Sequence, residues 1–231
     1  MSYIQLKISK YARIYLIFLF SLIIIFLPFI PFVSICLLLI LFFVIYFFRD
    51  PNRVIPINEN LILSPADGLI TFIGPSPLPK EVSNHLNDFN KEFTKISIFL
   101  NVFDVHINRV PTSGKIISSN YVKGKFVSAT LDKSSDNNER NITTLETKEK
   151  NYIIFVQIAG LIARRIICNL KQDQQVNIGD RFGIIKFGSR VDIYIPKNLN
   201  LHVAEGQKVI GGESVLADFR NTYNLGESII K

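Results

Sequence analysis

The sequence predicts a mostly β domain, a β-rich α+β fold, preceded by a helical membrane hairpin at the N-terminus. Two observations support this prediction. Residues 14–48 contain no charged side chain, whereas residues 49–231 have an ordinary globular composition and can bury a core of their own. Within 49–231 the apolar residues form short runs that are rich in β-branched and aromatic side chains and bordered by Gly, Pro, Asn and Asp, which is typical of short strands.

The uncharged run is too long for one straight membrane span and too short for two. As a single helix it would measure about 52 Å, against a hydrocarbon core of about 30 Å. Pro28 and Pro31 interrupt it near the middle. Both ends are basic, which favours placing both on the cytoplasmic side of the inner membrane: Lys7, Lys10 and Arg13 precede the run, and Arg49 and Arg53 follow it. We therefore expect a basic N-terminus (1–13), a hairpin anchor (14–48) and one domain (49–231), with a single tilted span as the alternative topology.

Strands are expected at six places in the domain, and helices are expected to be few. The strand candidates are 69–73, 95–102, 114–118, 152–158, 183–187 and 191–195, and the helix candidate is 81–89. The polar stretch 132–151 predicts a long hairpin loop or an insertion. In 203–217, glycines at 206 and 211–212 allow tight turns between short runs, a rhythm typical of hammerhead, barrel-sandwich-like carrier domains. This segment has no lysine in the carrier turn, so we interpret it as scaffold.

The charges argue against a nucleic-acid partner. Lys and Arg number 26 against 19 Asp and Glu, but they are spread along the chain, and the nearest cluster flanks the uncharged run, where it suits anionic lipid headgroups. Cys36 lies in that run, so it and Cys168 do not make a disulfide framework. No spacing of Cys or His residues suggests a metal ligand set, and we predict no metal.

Four segments of the domain contain residues suited to chemistry. They are Ser64-Pro-Ala-Asp-Gly68, Phe103-Asp-Val-His-Ile-Asn-Arg-Val-Pro111, Gln157-Ile-Ala-Gly-Leu-Ile-Ala-Arg-Arg165 and Gly183-Ile-Ile-Lys-Phe-Gly-Ser-Arg190. Each alone is ordinary: a turn, a strand-edge histidine, a solvated arginine pair, a Gly-Ser dipeptide. In their order and spacing, the four segments resemble those of the phosphatidylserine decarboxylases of the short, membrane-bound bacterial and archaeal type. The resemblance extends from Arg49 to the glycine-rich segment near the end of the chain.

The resemblance implies a proenzyme that cleaves itself between Gly188 and Ser189 without hydrolysis. Ser189 would become a covalent pyruvoyl group, a pyruvate cofactor made from the chain itself. Residues 1–188 would form the large (beta) chain and residues 189–231 the small (alpha) chain of a heterodimer. The pyruvoyl would form a Schiff base with phosphatidylserine in the membrane, accept electrons as carbon dioxide leaves, and so yield phosphatidylethanolamine.

Cleavage needs a nucleophile, an accessible carbonyl and a base. Ser189 would attack the Gly188 carbonyl, and His106 is the candidate base, with Asp67 orienting it. In the longer bacterial relatives the corresponding motif has two histidines three residues apart, whereas this chain has Arg109 at the second position. The set of residues that starts cleavage in those relatives is therefore not fully present in this chain. Either His106 serves both cleavage and decarboxylation, or another group starts cleavage. His85 and His202 lie outside the matched motifs, although His202 follows Ser189 closely enough to stay a candidate.

Arg49 and Arg53, just after the uncharged run, are candidates for binding the lipid phosphate and equally for fixing the topology of the anchor. Two other classes of protein share some of these features. A membrane-anchored β-sandwich adaptor explains the anchor and the closing glycines but gives the Gly188-Ser189 segment no role. A membrane serine peptidase of the signal-peptidase type, with Lys186 or another lysine as its base, fits the spacing and the flanking residues less well. A lipid decarboxylase acting on another headgroup is a further alternative.

Overall fold

The structure is a computed structural model, and it describes residues 7–83, 92–124, 138–160, 165–186, 188–220 and 227–230. The chain forms two compact units. The first comprises residues 1–52 with 103–105, and the second comprises residues 53–102 with 106–231.

The first unit contains two helices joined by a short turn. A single 3-10 turn (Lys10–Ala12) leads into α1 (Arg13–Phe26), and α2 (Pro31–Phe47) begins on a proline, which suits the first position of a helix. The ends of the pair meet, because Ser9 N–H donates to the Phe48 carbonyl at 2.8 Å. The helices thus break where the two prolines predict. Among the described residues, no helix combines the length and the apolarity needed to cross a bilayer. Membrane insertion of this hairpin stays a prediction.

The second unit is mostly β, as the sequence predicts, with one described helical turn, α3 (Lys80–Ser83). Its strands are β1 (Val54–Ile57), β2 (Leu61–Leu63), β3 (Gly68–Pro75), β4 (Phe93–Leu100), β5 (Ile107–Arg109), β6 (Gly114–Val122), β7 (Arg140–Glu146), β8 (Tyr152–Ala159), β9 (Arg165–Cys168), β10 (Gln175–Val176), β11 (Arg181–Lys186), β12 (Ser189–Pro196), β13 (Asn200–Leu201), β14 (Lys208–Val209), β15 (Val215–Asp218) and β16 (Glu227–Ile230).

An eight-stranded antiparallel sheet organises this unit, in the order β10-β6-β7-β8-β12-β4-β3-β14. Smaller sheets of order β5-β11-β9, β13-β15-β2 and β1-β16 complete it. Every residue of β12 is buried, because β12 lies between β8 and β4 and both faces of the sheet are covered. Val191 and Ile193 pack into the larger apolar cluster on one face, and Tyr194 packs into a second cluster on the other.

Most of the predicted strands are confirmed. Stretches 69–73, 114–118, 152–158 and 191–195 lie inside β3, β6, β8 and β12, while β4 ends two residues before the predicted 102. The described part of 183–187 lies in β11, and residue 187 lies outside the described residues, as do 84–91 of the predicted helix 81–89. The expected turns at Gly206 and Gly212 are present, both with positive φ. The likeness to hammerhead carrier domains stays a prediction.

The interpretation of 132–151 as a polar loop or insertion is wrong for its central part. Residues 140–146 form β7, a buried strand inside the main sheet. Its polar side chains are satisfied across strands: Asn141 Nδ2 donates to Ser119 Oγ at 3.2 Å, and Ser119 Oγ lies 3.3 Å from Thr143 Oγ1. Hydrogen bonding of this kind lets polar residues occupy a buried strand. Residues 132–137 lie outside the described residues.

Candidate active site

One end of the main sheet brings together the three sequence segments that contain Gly68, Ala159 and Ser189. Ser189, the first residue of β12, pairs with Leu100 at the end of β4 and with Ala159 at the end of β8. Beyond β4, the first pair of β3 joins Leu69 to Phe99. Neighbouring strands lie about 4.8 Å apart, so these four strand ends fall within roughly 15 Å of one another. Residues far apart in the sequence therefore share one short edge of the sheet.

The Gly188–Ser189 peptide bond has an unusual backbone conformation and unusual hydrogen bonding. Gly188 has φ +65°, in the left-handed region that side chains disfavour, and it directly precedes β12. Ser189 is fully buried, and within the described residues its Oγ makes no hydrogen bond. The Gly188 carbonyl accepts a hydrogen bond from Gly160 N–H at 3.2 Å. A hydroxyl without a hydrogen bond among the described residues therefore lies next to a carbonyl that is polarised by a donor.

Asp67 is held in place at the same edge by two donors. Arg53 Nη2 donates to Asp67 Oδ2 at 2.6 Å, and Gly211 N–H donates to Asp67 Oδ1 at 2.8 Å. Both members of the Arg53–Asp67 ion pair are largely buried, with 12% and 15% of their side chains exposed. Ser64 Oγ closes the preceding turn by donating to the Ala66 carbonyl at 2.6 Å. The carboxylate is therefore held in place by the Arg53 guanidinium and the Gly211 N–H.

His106 is fully buried and directly precedes β5. The strand that it leads into is tied to the Asp67 turn, because Arg109 N–H donates to the Pro65 carbonyl at 2.9 Å. The Arg109 side chain is buried and donates from Nη1 to the Gly179 carbonyl at 3.0 Å. The residue at the second histidine position therefore binds the backbone of the domain.

Two buried amides, Gln157 and Asn108, are hydrogen-bonded to each other, and the sequence predicted no role for either. Gln157 stands two residues before Ala159 on β8, so its side chain lies on the same face of the sheet as that of Ser189. Gln157 Nε2 donates to Asn108 Oδ1 at 2.8 Å. Within the described part of the chain, Gln157 Oε1 and Asn108 Nδ2 are buried without hydrogen bonds. The only signal in the sequence was a polar residue inside the apolar run 152–159.

A cavity of about 320 Å³ lies on the other face of the sheet. Its lining includes Asp192, Tyr194, Lys95 and Arg140. Side chains alternate along β12, so Asp192 and Tyr194 point away from the face that carries Ser189. This cavity is therefore separate from the site at Ser189.

The remaining predicted residues lie in other settings. In the first unit, Arg49 donates to the Phe103 carbonyl at 2.6 Å and to the Tyr46 carbonyl at 2.9 Å, and its guanidinium lies 3.9 Å from the centre of the Tyr46 ring. His202 Nε2 lies 2.8 Å from Asp218 Oδ2, at the β13–β15 sheet. His85 lies outside the described residues.

Comparison with known proteins gives a family. A family model described as phosphatidylserine decarboxylase matches residues 40–217. The chain belongs to the phosphatidylserine decarboxylase family. It is 51% identical over 175 residues to the phosphatidylserine decarboxylase proenzymes of Rickettsia typhi (strain ATCC VR-144 / Wilmington) and Rickettsia prowazekii (strain Madrid E), a match covering 76% of this chain and 74% of each relative. The protein of the same name from Wolbachia sp. subsp. Brugia malayi (strain TRS) is 50% identical over 184 residues, 80% of this chain and 78% of the relative.

Membership of the phosphatidylserine decarboxylase family confirms the resemblance drawn from the four segments. The match to the family model extends over Asp67, His106, Gly188 and Ser189, so the whole sheet edge described above lies inside it. The roles of these residues stay predictions.

Proposed function

We propose that this chain is a proenzyme that decarboxylates phosphatidylserine to phosphatidylethanolamine, using a pyruvoyl group made from Ser189. The observation that carries the proposal is the junction itself: a left-handed Gly188 followed by a buried Ser189 whose Oγ has no hydrogen bond within the described residues. A buried hydroxyl without a partner is unusual, because burial normally costs a polar group its hydrogen bonds to water. At this position the hydroxyl is available as a nucleophile.

Self-cleavage proceeds by rearrangement of the junction. Ser189 Oγ bonds to the Gly188 carbonyl carbon, the amide C–N bond breaks, and the nitrogen takes up the proton that Oγ loses, which leaves an ester. Loss of the Ser189 α-proton then expels the Gly188 carboxylate and leaves dehydroalanine, which takes up water and loses ammonia. A base is needed for the α-proton, and a neutral imidazole suits that task near neutral pH.

The residues around the junction fit a pyruvoyl group at position 189. Once formed, the group supplies a carbonyl that accepts the electron pair released when the substrate carboxylate leaves as carbon dioxide. We assign His106 the proton transfers of this reaction. We assign Asp67, which is fixed by Arg53 and by Gly211 N–H, the role of orienting the His106 imidazole. The amides of Gln157 and Asn108 offer an acceptor and a donor to the polar part of a headgroup.

The bond between Arg53 and Asp67 favours a role for Arg53 in fixing the acid. Arg49, which follows the hairpin, remains our candidate contact for the phosphate of the lipid.

We place the protein at the cytoplasmic face of the inner membrane. Attachment to a membrane is supported by the exposed apolar surface of the hairpin, which includes Ile14, Phe18, Phe29 and Phe32. A contiguous exposed apolar surface on a protein is normally covered by lipid or by a partner. The choice of the cytoplasmic face follows from the basic residues at both ends of the uncharged run. The substrate is itself a membrane lipid, so an enzyme anchored at the headgroup level reaches it without extracting it from the bilayer.

The first experiment is an intact mass spectrum of the detergent-solubilised protein beside its Ser189→Ala variant. We expect the wild type to give two chains that break between 188 and 189, the smaller one lacking one ammonia and reacting with a hydrazine, and to release carbon dioxide from phosphatidylserine. Ser189→Ala should give one uncut, inactive chain. An uncut wild type from folded, lipid-supplied protein would favour the adaptor, and carbon dioxide release by uncut Ser189→Ala would exclude the pyruvoyl.

His106→Ala tests the assignment of the proton transfers. We expect decarboxylation per pyruvoyl group to fall by about 10²-fold or more, because a positioned acid–base group contributes 10²–10⁴-fold. The amount of small chain that reacts with a hydrazine, measured by mass spectrometry, gives the number of pyruvoyl groups. Dividing the decarboxylation rate by this number separates a defect in turnover from a defect in cleavage. Near-normal turnover would remove His106 from the reaction.

A further inference from the structure

We propose that the peptide unit joining Ala159 to Gly160 is the oxyanion-binding element of self-cleavage, with Gly160 N–H as the donor and Asn138 as the residue that positions it. This inference rests on the proposed cleavage between Gly188 and Ser189. It concerns a group that directly follows β8, 28 residues before Gly188 in the sequence.

The donor contacts the atom on which charge develops. Gly160 is buried at the end of β8, and its N–H donates to the Gly188 carbonyl oxygen at 3.2 Å. When Ser189 Oγ adds to the Gly188 carbon, the π electrons of the carbonyl move onto that oxygen. A fixed donor in a buried site stabilises such a charge more than water does, because the donor is already oriented before the reaction.

The length of this hydrogen bond favours the transition state over the ground state. A separation of 3.2 Å lies at the long end of the N–H···O range, and charge-assisted bonds shorten to about 2.7–2.9 Å. The contact therefore strengthens as the oxygen becomes negative. Only an interaction that is stronger in the transition state accelerates a step.

The second end of the same peptide unit is also held. Asn138 Nδ2 donates to the Ala159 carbonyl at 2.8 Å, and the Asn138 side chain is fully buried. A peptide unit is planar, so fixing its carbonyl also fixes the direction of its N–H. A donor on the carbonyl also polarises the amide and makes the N–H a stronger donor. Asn138 thus acts on the Gly188 oxygen through the backbone.

The chemistry of the step needs no co-reactant. The bond from Ser189 Oγ to the Gly188 carbon forms and leaves a negative charge on the Gly188 oxygen. An electron pair on that oxygen then re-forms the C=O double bond as the C–N bond breaks. The proton lost by Oγ ends on the nitrogen of residue 189. Gly160 N–H keeps its own proton throughout and contributes only its hydrogen bond.

Replacing an amide by an ester tests the donor directly. Lactic acid, the hydroxy acid that matches alanine, is introduced at position 160 by cell-free translation of the full chain with lipid, so that the N–H is replaced by an ester oxygen. The reference for this protein is Gly160→Ala, which has the same side chain and keeps the N–H. A second ester, lactic acid in place of Ala159, is the control, since it removes a neighbouring N–H that donates to the Glu139 carbonyl at 2.9 Å. The half-time of cleavage at 188/189 is read by gel and mass.

We expect the ester at 160 to cleave about 10²-fold more slowly than Gly160→Ala, the loss typical of one oxyanion donor, and the ester at 159 to cleave within about 3-fold of the wild type. Cleavage of the ester at 160 within about 3-fold of Gly160→Ala would overturn the proposal, and so would equal slowing by both esters. If the wild type itself stays uncut at 188/189, the proposed function fails and this inference fails with it. If the wild type is cut and the two esters behave alike, only this inference fails.

Side-chain variants test Asn138 without altered backbone chemistry. Asn138→Ala should slow cleavage by about 10-fold, the effect expected for one lost hydrogen bond. The matched control is Asn141→Ala on β7, which also removes a buried asparagine, one that donates to Ser119 and Thr143. The positioning role is supported if the two variants have equal thermal midpoints and only Asn138→Ala cleaves slowly. Equal cleavage rates in the two variants, or slowing in proportion to the loss of stability, would contradict it.

Discussion

At the scale of single residues, the backbone of Gly188 is the feature with the clearest consequence. Gly188 has φ +65°, and a Cβ built there would meet no atom within 4 Å, so an added methyl group meets a conformational penalty and no clash. Gly206 has φ +83° and equally open surroundings, far along the chain from the scissile bond. A left-handed conformation costs an L-residue roughly 1–2 kcal/mol.

We therefore predict that Gly188→Ala and Gly206→Ala lower stability by similar amounts, about 1 kcal/mol each, and that only Gly188→Ala slows self-cleavage. The reason is that relief of the strain at 188 turns the carbonyl that Ser189 must attack. Thermal midpoints in detergent and the half-time of cleavage by gel measure the two effects. Equal cleavage rates in the two variants would show that the left-handed backbone at 188 serves folding alone.

Sequence reasoning identified the residues of the junction but not the groups that surround it. Ser189, Asp67 and His106 stand in short motifs that can be read along the chain. Gly160 and Gly188 meet only because β8 pairs with β12 across a long interval of sequence. Arg53 Nη2 and Asp67 meet across 14 residues, and no local pattern of the sequence links them. A backbone N–H such as that of Gly160 has no sequence signature at all. Only the register of β8 against β12 reveals it.

At the scale of elements, the β7–β8 hairpin shows why polar strands are hard to recognise. Residues 140–146 mix Asn and Thr with Ile and Leu, and Asn141 and Thr143 are buried against Ser119 on β6. Without the partner strand, the same pattern is typical of a solvated loop. The prolines between the two N-terminal helices, in contrast, act locally and predicted the break correctly.

The same hairpin contains a carboxylate whose ionisation stabilises it. Glu146 accepts a hydrogen bond from Lys150 at 2.9 Å and one from the Tyr152 hydroxyl at 2.8 Å, and these two bonds lower the pKa of Glu146 below its ordinary value. A carboxyl with a lowered folded-state pKa stabilises the fold above its unfolded-state pKa, near 4.3, and loses that contribution as the pH falls through the folded-state value.

We predict that Glu146→Gln lowers the thermal midpoint at pH 7 by an amount equivalent to less than about 1 kcal/mol, since Lys150 is mostly exposed. The difference from wild type should shrink as the pH falls below about 4.3 and vanish below the folded-state pKa of Glu146. Glu149→Gln, which removes the same charge from the exposed turn, is the control. A gap that stays constant with pH, or one that Glu149→Gln reproduces, would contradict the assigned role of Glu146.

At the scale of the whole molecule, the sequence predicted the mostly β class but not the order of the strands. Composition and short apolar runs suffice for the class. The central position of β12, however, depends on pairing with β8, which ends thirty residues before it, and with β4, almost ninety residues before it. Such long-range pairing is set by the packing of both sheet faces, which no local window contains.

The topology predicts that the two chains produced by cleavage remain one folded molecule. All the strands described after residue 188 join sheets that contain strands from before it: β12 lies between β8 and β4, β14 pairs with β3, β15 pairs with β2, and β16 pairs with β1. Cutting at 188/189 breaks the covalent link and leaves this pairing intact. Residues 189–231 should therefore stay bound to residues 1–188 in detergent without denaturant, and an isotope-labelled small chain should not exchange into the protein.

Cleavage also changes how stability depends on concentration. The cut protein unfolds into two separate chains, so mass action makes its thermal midpoint rise with protein concentration. Ser189→Ala keeps a single chain, and its midpoint should be independent of concentration. Paired melts of the two proteins over a hundredfold range of concentration measure the difference. Two results would contradict the common core that the sheet order indicates. One is exchange of the small chain under native conditions, and the other is a thermal midpoint of fully cut protein that does not change with concentration.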